Sequence, residues 1–381
     1  MKIAVIGPTA PYRGGIAHHG NMVVRTLRGR GHEVDAITFS RQYPKRLYPG
    51  AFQEEEGEEF ADIRAERLID SMNPFSWSTT ARILREREYD LYLTRFWIPL
   101  FGLTFGRIAR GVGGGAPGGR VITIIDNLYP HEKRPGDAFL RDYQFRYCNG
   151  AITQSGTVHR QFKETYPSIP ERMLPHPVYE NFGETIDKVE ARRRLGLPEG
   201  KLILFFGFVR RYKGLDLLLE AMPAILQRTP GVRLCVVGEF FDDPEEFKSI
   251  VRRHGLDDSV LFFDRYVPNE EVAEWFSACD LLVLPYRSAT NSGIVQIGYN
   301  FALPAVVTDV GSLSEVVVHE KTGLVVPDAE PQTLADAVAR GLEPESAQKM
   351  REGIVDERSK YSWDSFAEGI EVFAETIIGK R

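Results

Sequence analysis

The sequence predicts an α/β protein made of two doubly wound, Rossmann-like domains whose parallel sheets face an interdomain cleft. Three observations predict it. Short β-branched runs alternate with amphipathic helical stretches along the whole chain. The alternation breaks off at a proline-marked segment, Leu174 to Phe182, and then starts over. The length of 381 residues exceeds what one hydrophobic core ordinarily organises.

In the first half, Lys2 to Gly7, Glu33 to Phe39, Asp90 to Thr94, Arg120 to Ile125 and Gly150 to Gln154 are continuous apolar runs of the kind buried on both faces of a parallel sheet. A helix is predicted from His18 to Arg30, closed by Gly31. Arg41 to Phe60, with the acidic cluster Glu54 to Glu59, reads as a surface loop, and Gly111 to Gly119 as a flexible connection. After the break, Lys201 to Phe208, Val232 to Val237, Val260 to Phe263, Asp280 to Leu284 and Ala305 to Thr308 read as buried strands. Helices are predicted between them at Asp216 to Gln227, Pro244 to His254, Asn269 to Ala278 and Gly293 to Phe301. In open parallel sheets, ligands bind outside the carboxyl ends of the strands, so the cleft is where a ligand is expected.

Composition narrows the function. With 26% charged residues and a net charge of -6, no broad positive field draws the chain to nucleic acid. Cys148, Cys235 and Cys279 lack the spacing of a metal site, so neither zinc nor a disulfide framework is expected. No run approaches the roughly 18 apolar residues that span a bilayer, and a cytoplasmic location follows as an expectation. Phe96 to Gly106, lying between Arg95 and Arg107, has two readings. It is a core-packed strand end and helix start, or a patch that docks on the inner face of a membrane or on a lipid acceptor.

Four segments could carry chemistry. Gly207 to Gly214 (GFVRRYKG) follows a buried strand, and its Arg210 and Lys213 suit phosphate: arginine binds oxygens bidentately, and lysine is a mobile point charge. The alternative is that these are solvated surface charges. Ser288 to Gly293 (SATNSG) has the residue types that start a helix and leave amides facing an anion, although capping alone also explains it. Pro11 to His19 (PYRGGIAHH) has Gly14 and Gly15 in a loop able to lie against a ligand, but it is not GxGxxG and no acidic residue follows the second strand, so a dinucleotide reading is weak. Asp126 to Glu132 (DNLYPHE) follows a strand and offers Asp126 and His131 as polar catalysts, or as structural hydrogen-bonders.

Together these segments resemble glycosyltransferase family 4, the retaining group of the GT-B fold. The resemblance runs over nearly the whole chain: Gly14 and Gly15, Gly31 to Val34, GFVRRYKG, VVGE (Val236 to Glu239), VPNEEV (Val267 to Val272), ALPAVVTDVGSLSE (Ala302 to Glu315), TGLVVP (Thr322 to Pro327) and YSW (Tyr361 to Trp363). It implies an acceptor-side domain over 1–178, a nucleotide-sugar domain over 179–362, and a last helix, 363–381, that crosses back to the first domain. It implies that Arg210 and Lys213 hold the donor phosphates, that Gly207 and Glu239 border the donor, that Tyr266 and Val267 lie near the base, and that the amides of Ser292, Gly293 and Ile294 meet the diphosphate.

The chain departs from the family in three places. The family's arginine directly after the glycine is Phe208 here, with Arg210 as its replacement. The paired glutamates fall on Ala289 and Ile297, leaving Thr290, Asn291 or Gln296 to bind hydroxyls, in a branch with a TxSGxxQI pattern. A histidine close to the sugar is replaced by Asp126, while His131 and Glu132 follow the branch. The function the resemblance implies is metal-independent transfer, with retention, from a UDP- or GDP-type sugar to a saccharide or lipid-linked acceptor, with no cofactor beyond that donor. The rivals are a sugar-nucleotide epimerase or phosphorylase on the same fold, and a binding subunit that has lost its chemistry.

Overall fold

In the computed structural model, residues 1–44, 53–54, 60, 62–130, 134–179, 182–289 and 293–379 are described. His131, Thr290, Asn291, Ser292 and most of the acidic cluster lie outside the described residues. The chain divides into two units, one of Met1–His176 with Trp363–Arg381 and the other of Pro177–Ser362.

Unit 1 runs β1 (Lys2–Ile6), α1 (Gly15–Gly29), β2 (Glu33–Arg41), β3 (Glu66–Asp70), α2 (Pro74–Glu86), β4 (Leu91–Phe96), α3 (Gly102–Gly111), β5 (Val121–Ile125), α4 (Asp137–Phe145), β6 (Gly150–Thr153), α5 (Gly156–Thr165) and β7 (Glu171–Met173). Its seven strands are all parallel, in the order β3-β2-β1-β4-β5-β6-β7. The interior strands are the predicted apolar runs. The two edge strands, ERLID and ERM, carry no such run because an edge strand is only half covered, and periodicity alone misses them.

Unit 2 runs α6 (Lys188–Leu195), β8 (Leu202–Phe206), α7 (Leu215–Arg228), β9 (Arg233–Val237), α8 (Pro244–His254), β10 (Val260–Phe263), α9 (Asn269–Ala278), β11 (Leu281–Leu284), α10 (Gly293–Asn300), β12 (Ala305–Thr308), α11 (Leu313–Val316), β13 (Gly323–Val326), α12 (Pro331–Gly341) and α13 (Pro344–Glu357). Its six parallel strands lie in the order β10-β9-β8-β11-β12-β13. Core clusters cover both faces of this sheet, as a doubly wound unit requires. In each sheet the strand order reverses once, between β1 and β4 and between β8 and β11, and those are the points where the chain leaves a crevice at the strand ends.

The last helix, α14 (Trp363–Ile378), belongs to unit 1. Its Trp363, Phe366, Ile370 and Phe373 join the same core cluster as β1 and β5. Arg30 Nε and Nη2 donate to Glu371 at 2.7 and 2.8 Å, and His32 Nε2 lies 2.7 Å from the same carboxylate, so α14 is held to the end of α1.

Phe96 to Gly106 is core. Phe96, Trp97, Phe101 and Phe105 are buried and stack on one another or on neighbouring rings, while only Leu100 among the stretch's large side chains is well exposed. Gly111 to Gly119 is a held turn rather than a flexible one. Asn149 Oδ1 accepts from the amides of Gly115 and Val121, and Asn149 Nδ2 donates to the Ala116 carbonyl at 3.0 Å. No helix among the described residues is long and apolar enough to cross a membrane.

α3 packs on α4 with no spare room: a Cβ on Gly102 would collide with the Leu140 carbonyl, and one on Gly106 would stand 2.6 Å from the Tyr143 ring. Gly106→Ala is therefore expected to cost about 1–3 kcal/mol of stability through overpacking, seen as a lower urea midpoint with an unchanged slope.

Candidate functional site

The site in unit 2 is built on β8, buried at every position. The chain leaves it at Gly207 with φ 94°, a left-handed conformation that other residues rarely adopt. A Cβ there would lie 3.1 Å from Lys213 Nζ and 3.2 Å from Ile294 Cδ1. The ammonium and the first turn of α10 thus meet over a glycine. Arg211–Lys213 form a single 3-10 turn, closed by Gly214 at φ 70°, where any Cβ would strike the Pro285 carbonyl.

Arg287 fixes this loop. Its amide donates to Tyr212 O at 2.7 Å, its Nη1 to Arg211 O at 2.8 Å, and its guanidinium grips Asp216 at 2.7 and 2.6 Å. Asp216 is pulled below the usual carboxylate range by that pair, against the opposing effect of its own burial. The loop after β8 is therefore stapled to the end of β11, its neighbour across the switch point.

Lys213 is only 7% exposed. Among the described residues its ammonium has no carboxylate and no hydrogen-bond acceptor; the Tyr286 ring lies 5.8 Å away. Burial, and after it the charge of Arg210, brings the ammonium down to about 7. Arg210 is exposed, rests its guanidinium over the Phe241 ring at 4.6 Å, and likewise has no carboxylate partner. α10 carries no acidic residue in its first turn, so nothing there opposes an anion at Gly293 and Ile294. Lys213 beside the start of α10 and Arg210 in the same loop, both without a carboxylate among the described residues, are cations of the kind that can hold a multiply charged phosphate.

The remaining expected residues of unit 2 differ in their settings. Glu239 follows Gly238, whose backbone packs against Gly207, and its carbonyl accepts from the Val209 amide at 2.9 Å. Tyr266 is half-buried, whereas the Val267 side chain is buried in the core beside Trp275, which leaves its backbone for any ligand. Ala289 and Ile297 also join that apolar core. Gln296, by contrast, is buried with neither amide atom hydrogen-bonded among the described residues.

In unit 1, α1 starts at Gly15, three residues before the predicted start, with Gly14 as its N-cap at φ 96°. The glycine pair thus opens the helix instead of lying wholly in the loop; residues without side chains give no periodicity by which to see it. A Cβ on Gly14 would meet nothing within 4 Å, so the backbone there faces open space. Asp126, at the end of β5, is gripped bidentately by Arg95 at 2.6 and 2.6 Å and accepts from Gln154 Nε2 at 3.2 Å. Arg95 Nη1 also donates to His19 Nδ1 at 2.9 Å, which places the imidazole proton on Nε2. His19 is fully buried, with ring centres of His176, Trp363 and Phe366 at 4.9, 5.1 and 5.3 Å. Burial first, then the charges of Arg95 and His176, holds it well below the ordinary histidine value.

Arg95, His19 and Gln154 escape sequence reasoning because the partners lie 28 to 76 positions apart. Their one legible signal is position, since Arg95 and Gln154, like Asp126, stand at the carboxyl ends of consecutive strands. Among the described residues no cluster of three His, Cys, Asp or Glu could hold a metal.

Residues 200–343 match the family model described as Glycosyl transferases group 1. The D-inositol 3-phosphate glycosyltransferase of Acidothermus cellulolyticus is 29% identical over 242 residues, covering 60% of this chain and 54% of the relative. The chain spans about half the length of most of the curated relatives it matches. A glycosyltransferase of Methanocaldococcus jannaschii, MJ1607, is 27% identical over 96% of both chains. Among solved structures, Anabaena HepE in complex with UDP-glucose superposes with a TM-score of 0.78 at 16% identity, over 99% of this chain and 100% of that one. The two Rossmann-like units with their parallel sheets are those of the GT-B fold.

Two outcomes are expected of the buried bases. The unfolded chain holds a proton on Lys213 up to its ordinary value of 10.5 while the folded chain releases it near 7, so stability rises with pH across that interval. Lys213→Met should abolish this rise in urea titrations and stabilise the free protein at neutral pH by about 1–3 kcal/mol. For His19, the unfolded chain takes up a proton near pH 6.5 that the folded chain refuses. Stability should therefore be full above pH 6.5 and fall below it by up to about 1.4 kcal/mol per pH unit, a slope that His19→Gln reduces.

Proposed function

We propose that the chain is a retaining glycosyltransferase of family 4, transferring a hexose from a UDP- or GDP-type sugar to a saccharide or lipid-linked acceptor. The observation that carries this reading is the buried Lys213 ammonium, without a carboxylate, beside the first turn of α10 and next to Arg210. A protein does not leave a cation in that state for packing; the site is complete when a diphosphate supplies the missing charge.

In this scheme the bond between the anomeric carbon and the diphosphate oxygen breaks while the acceptor oxygen bonds to the same face of that carbon. The acceptor's proton passes to the departing phosphate oxygen. Configuration is retained, and the charge that gathers on the leaving group is met by Lys213, Arg210 and the amides of Ser292, Gly293 and Ile294. Gly207 and Glu239 border the donor, and the backbone at Tyr266 and Val267 lies near its base. Thr290, Asn291 and Gln296 bind the hydroxyls that the family's glutamates would hold, Gln296 being supported by its unsatisfied amide. Gly14 and Gly15 are assigned to ligand binding and Asp126 and His131 to catalysis, with Asp126 held in place by Arg95. Because cationic groups and amides take the developing charge, turnover is insensitive to chelators.

One observation favours a second reading. Ala289 and Ile297, at the positions of the family's glutamates, are core residues, which suits a subunit that binds a nucleotide sugar without transferring it.

Thermal-shift screening against UDP- and GDP-sugars should find a donor that raises the melting temperature. With that donor, Lys213→Ala should lower kcat by about 10²–10³-fold, as removal of one fixed donor to a developing anion does. Donor affinity should fall as pH rises above about 7, by up to about tenfold per unit, because the bound diphosphate requires the protonated amine. Unchanged activity in Lys213→Ala would remove that residue from the mechanism. Tight donor binding without transfer or hydrolysis across an acceptor panel would establish the binding-subunit reading instead.

A further inference from the structure

Unit 1 carries a surface that the reading above does not use. α2, α3 and α4 lie side by side and run in the same direction. Arg107 Nε donates to Ser78 Oγ at 3.3 Å, and a Cβ on Gly111 would strike Ala81, so α2 and α3 advance together. Gly102 and Gly106 meet Leu140 and then Tyr143 in the same sense along α4. The outer face of this layer has a repeated pattern. Each helix shows an apolar residue at its start and an arginine seven positions later on the same stripe: Phe75 and Arg82, Leu103 and Arg110, Phe139 and Arg146. Seven residues advance the helix by about 10.5 Å. One end of the layer is therefore an apolar row and the other a row of guanidiniums.

Exposure and charge set this face apart. Phe75 is 83% exposed and Phe139 66%, with Leu100 at 45% in the turn just before α3. These are large apolar side chains placed in water, with no covering element among the described residues. The carboxylates on the helices are engaged: Glu86 pairs with Arg82, Asp142 with Arg141 and the Tyr166 hydroxyl, and Asp137 accepts from the Arg134 amide. Arg85, Arg107, Arg110 and Arg146 have no carboxylate partner among the described residues. In a chain whose net charge is -6, four uncommitted arginines on one three-helix layer are a local reversal of sign.

We propose that this layer docks the protein on the surface of an anionic lipid bilayer. Phe75, Leu100 and Phe139 enter the boundary between headgroups and acyl chains, about 5–10 Å deep, and the arginine row meets lipid phosphates one to two helical turns behind them. The spacing of the two rows matches the distance between those two zones, which a flat protein partner would not require. The apolar segment Phe96 to Gly106 contributes one residue, Leu100; the others come from separate helices and become neighbours only in the fold. The inference does not depend on the glycosyltransferase reading.

The test is sedimentation of the full chain with large unilamellar vesicles, either of pure phosphatidylcholine or with 30 mol % phosphatidylglycerol, at about 0.1 M salt. Stable binding to the anionic vesicles and at least tenfold weaker binding to the neutral ones is expected. Phe75→Ser/Phe139→Ser should weaken vesicle binding at least tenfold without lowering the melting temperature, since both rings are exposed. Arg110→Glu/Arg146→Glu should do the same and remove the preference for anionic lipid. Equal binding to both vesicle types, no binding to either, or full binding by both variants would overturn the proposal. So would a concentration-dependent dimer of the wild type that Phe75→Ser/Phe139→Ser disperses, because the face would then belong to a second copy.

Discussion

An ammonium group taken out of water without a counter-charge is among the most expensive things a fold can contain, costing several kcal/mol even after relaxation. Lys213 is such a group, and the local structure of unit 2 is organised around keeping it in place. Gly207 makes room for it, Gly214 allows the turn that aims it, and the Arg287–Asp216 pair prevents the loop from relaxing toward solvent. A flexible lysine would escape to water if any of these yielded. The placement of the ammonium therefore rests on backbone geometry that carries no charge of its own, and the cation is held in position by the fold alone, as fixed charges must be if they are not to reorganise around an anion.

Unit 1 offers the opposite solution at the equivalent place in its sheet. Arg95 is as deeply buried as Lys213, but Asp126 neutralises it through two short bonds, and Gln154 and His19 use the remaining polar edges. One strand-end crevice is electrostatically closed and the other electrostatically open. Two sheets of the same topology thus serve different ends: the first holds a fixed orientation of neutral and paired groups, and the second an attraction for negative charge.

What could be read from residue order follows the same physics. Interior strands such as β9 and β12 are apolar at nearly every position because both their faces are covered, and they are visible without any structure. The edge strands β3 and β7 are mixed in composition, and nothing in ERLID or ERM distinguishes them from helix or loop. The loop holding Arg210 and Lys213 was legible because glycine, arginine and lysine are adjacent in the chain. The Arg95–Asp126–His19 cluster was not, since its members come from β4, the end of β5 and α1 and are gathered only by strand pairing. Burial was illegible too: sequence shows that Lys213 is basic, but not that the fold leaves it without a partner.

The return of α14 to unit 1 also orders events in time. The cage around His19 needs Trp363 and Phe366, and the core facing β1 and β5 needs Ile370 and Phe373, yet unit 2 is synthesised in between. At ribosomal speeds of about 5–20 residues per second, the earlier sheet waits on the order of ten to forty seconds for its last helix. During that interval the part of one sheet face that α1 does not cover is bare, while unit 2, whose pieces are contiguous, can complete itself. The unit whose sheet is made before unit 2 is thus completed only after it, and the nascent chain presents to chaperones the surface that α14 will later cover.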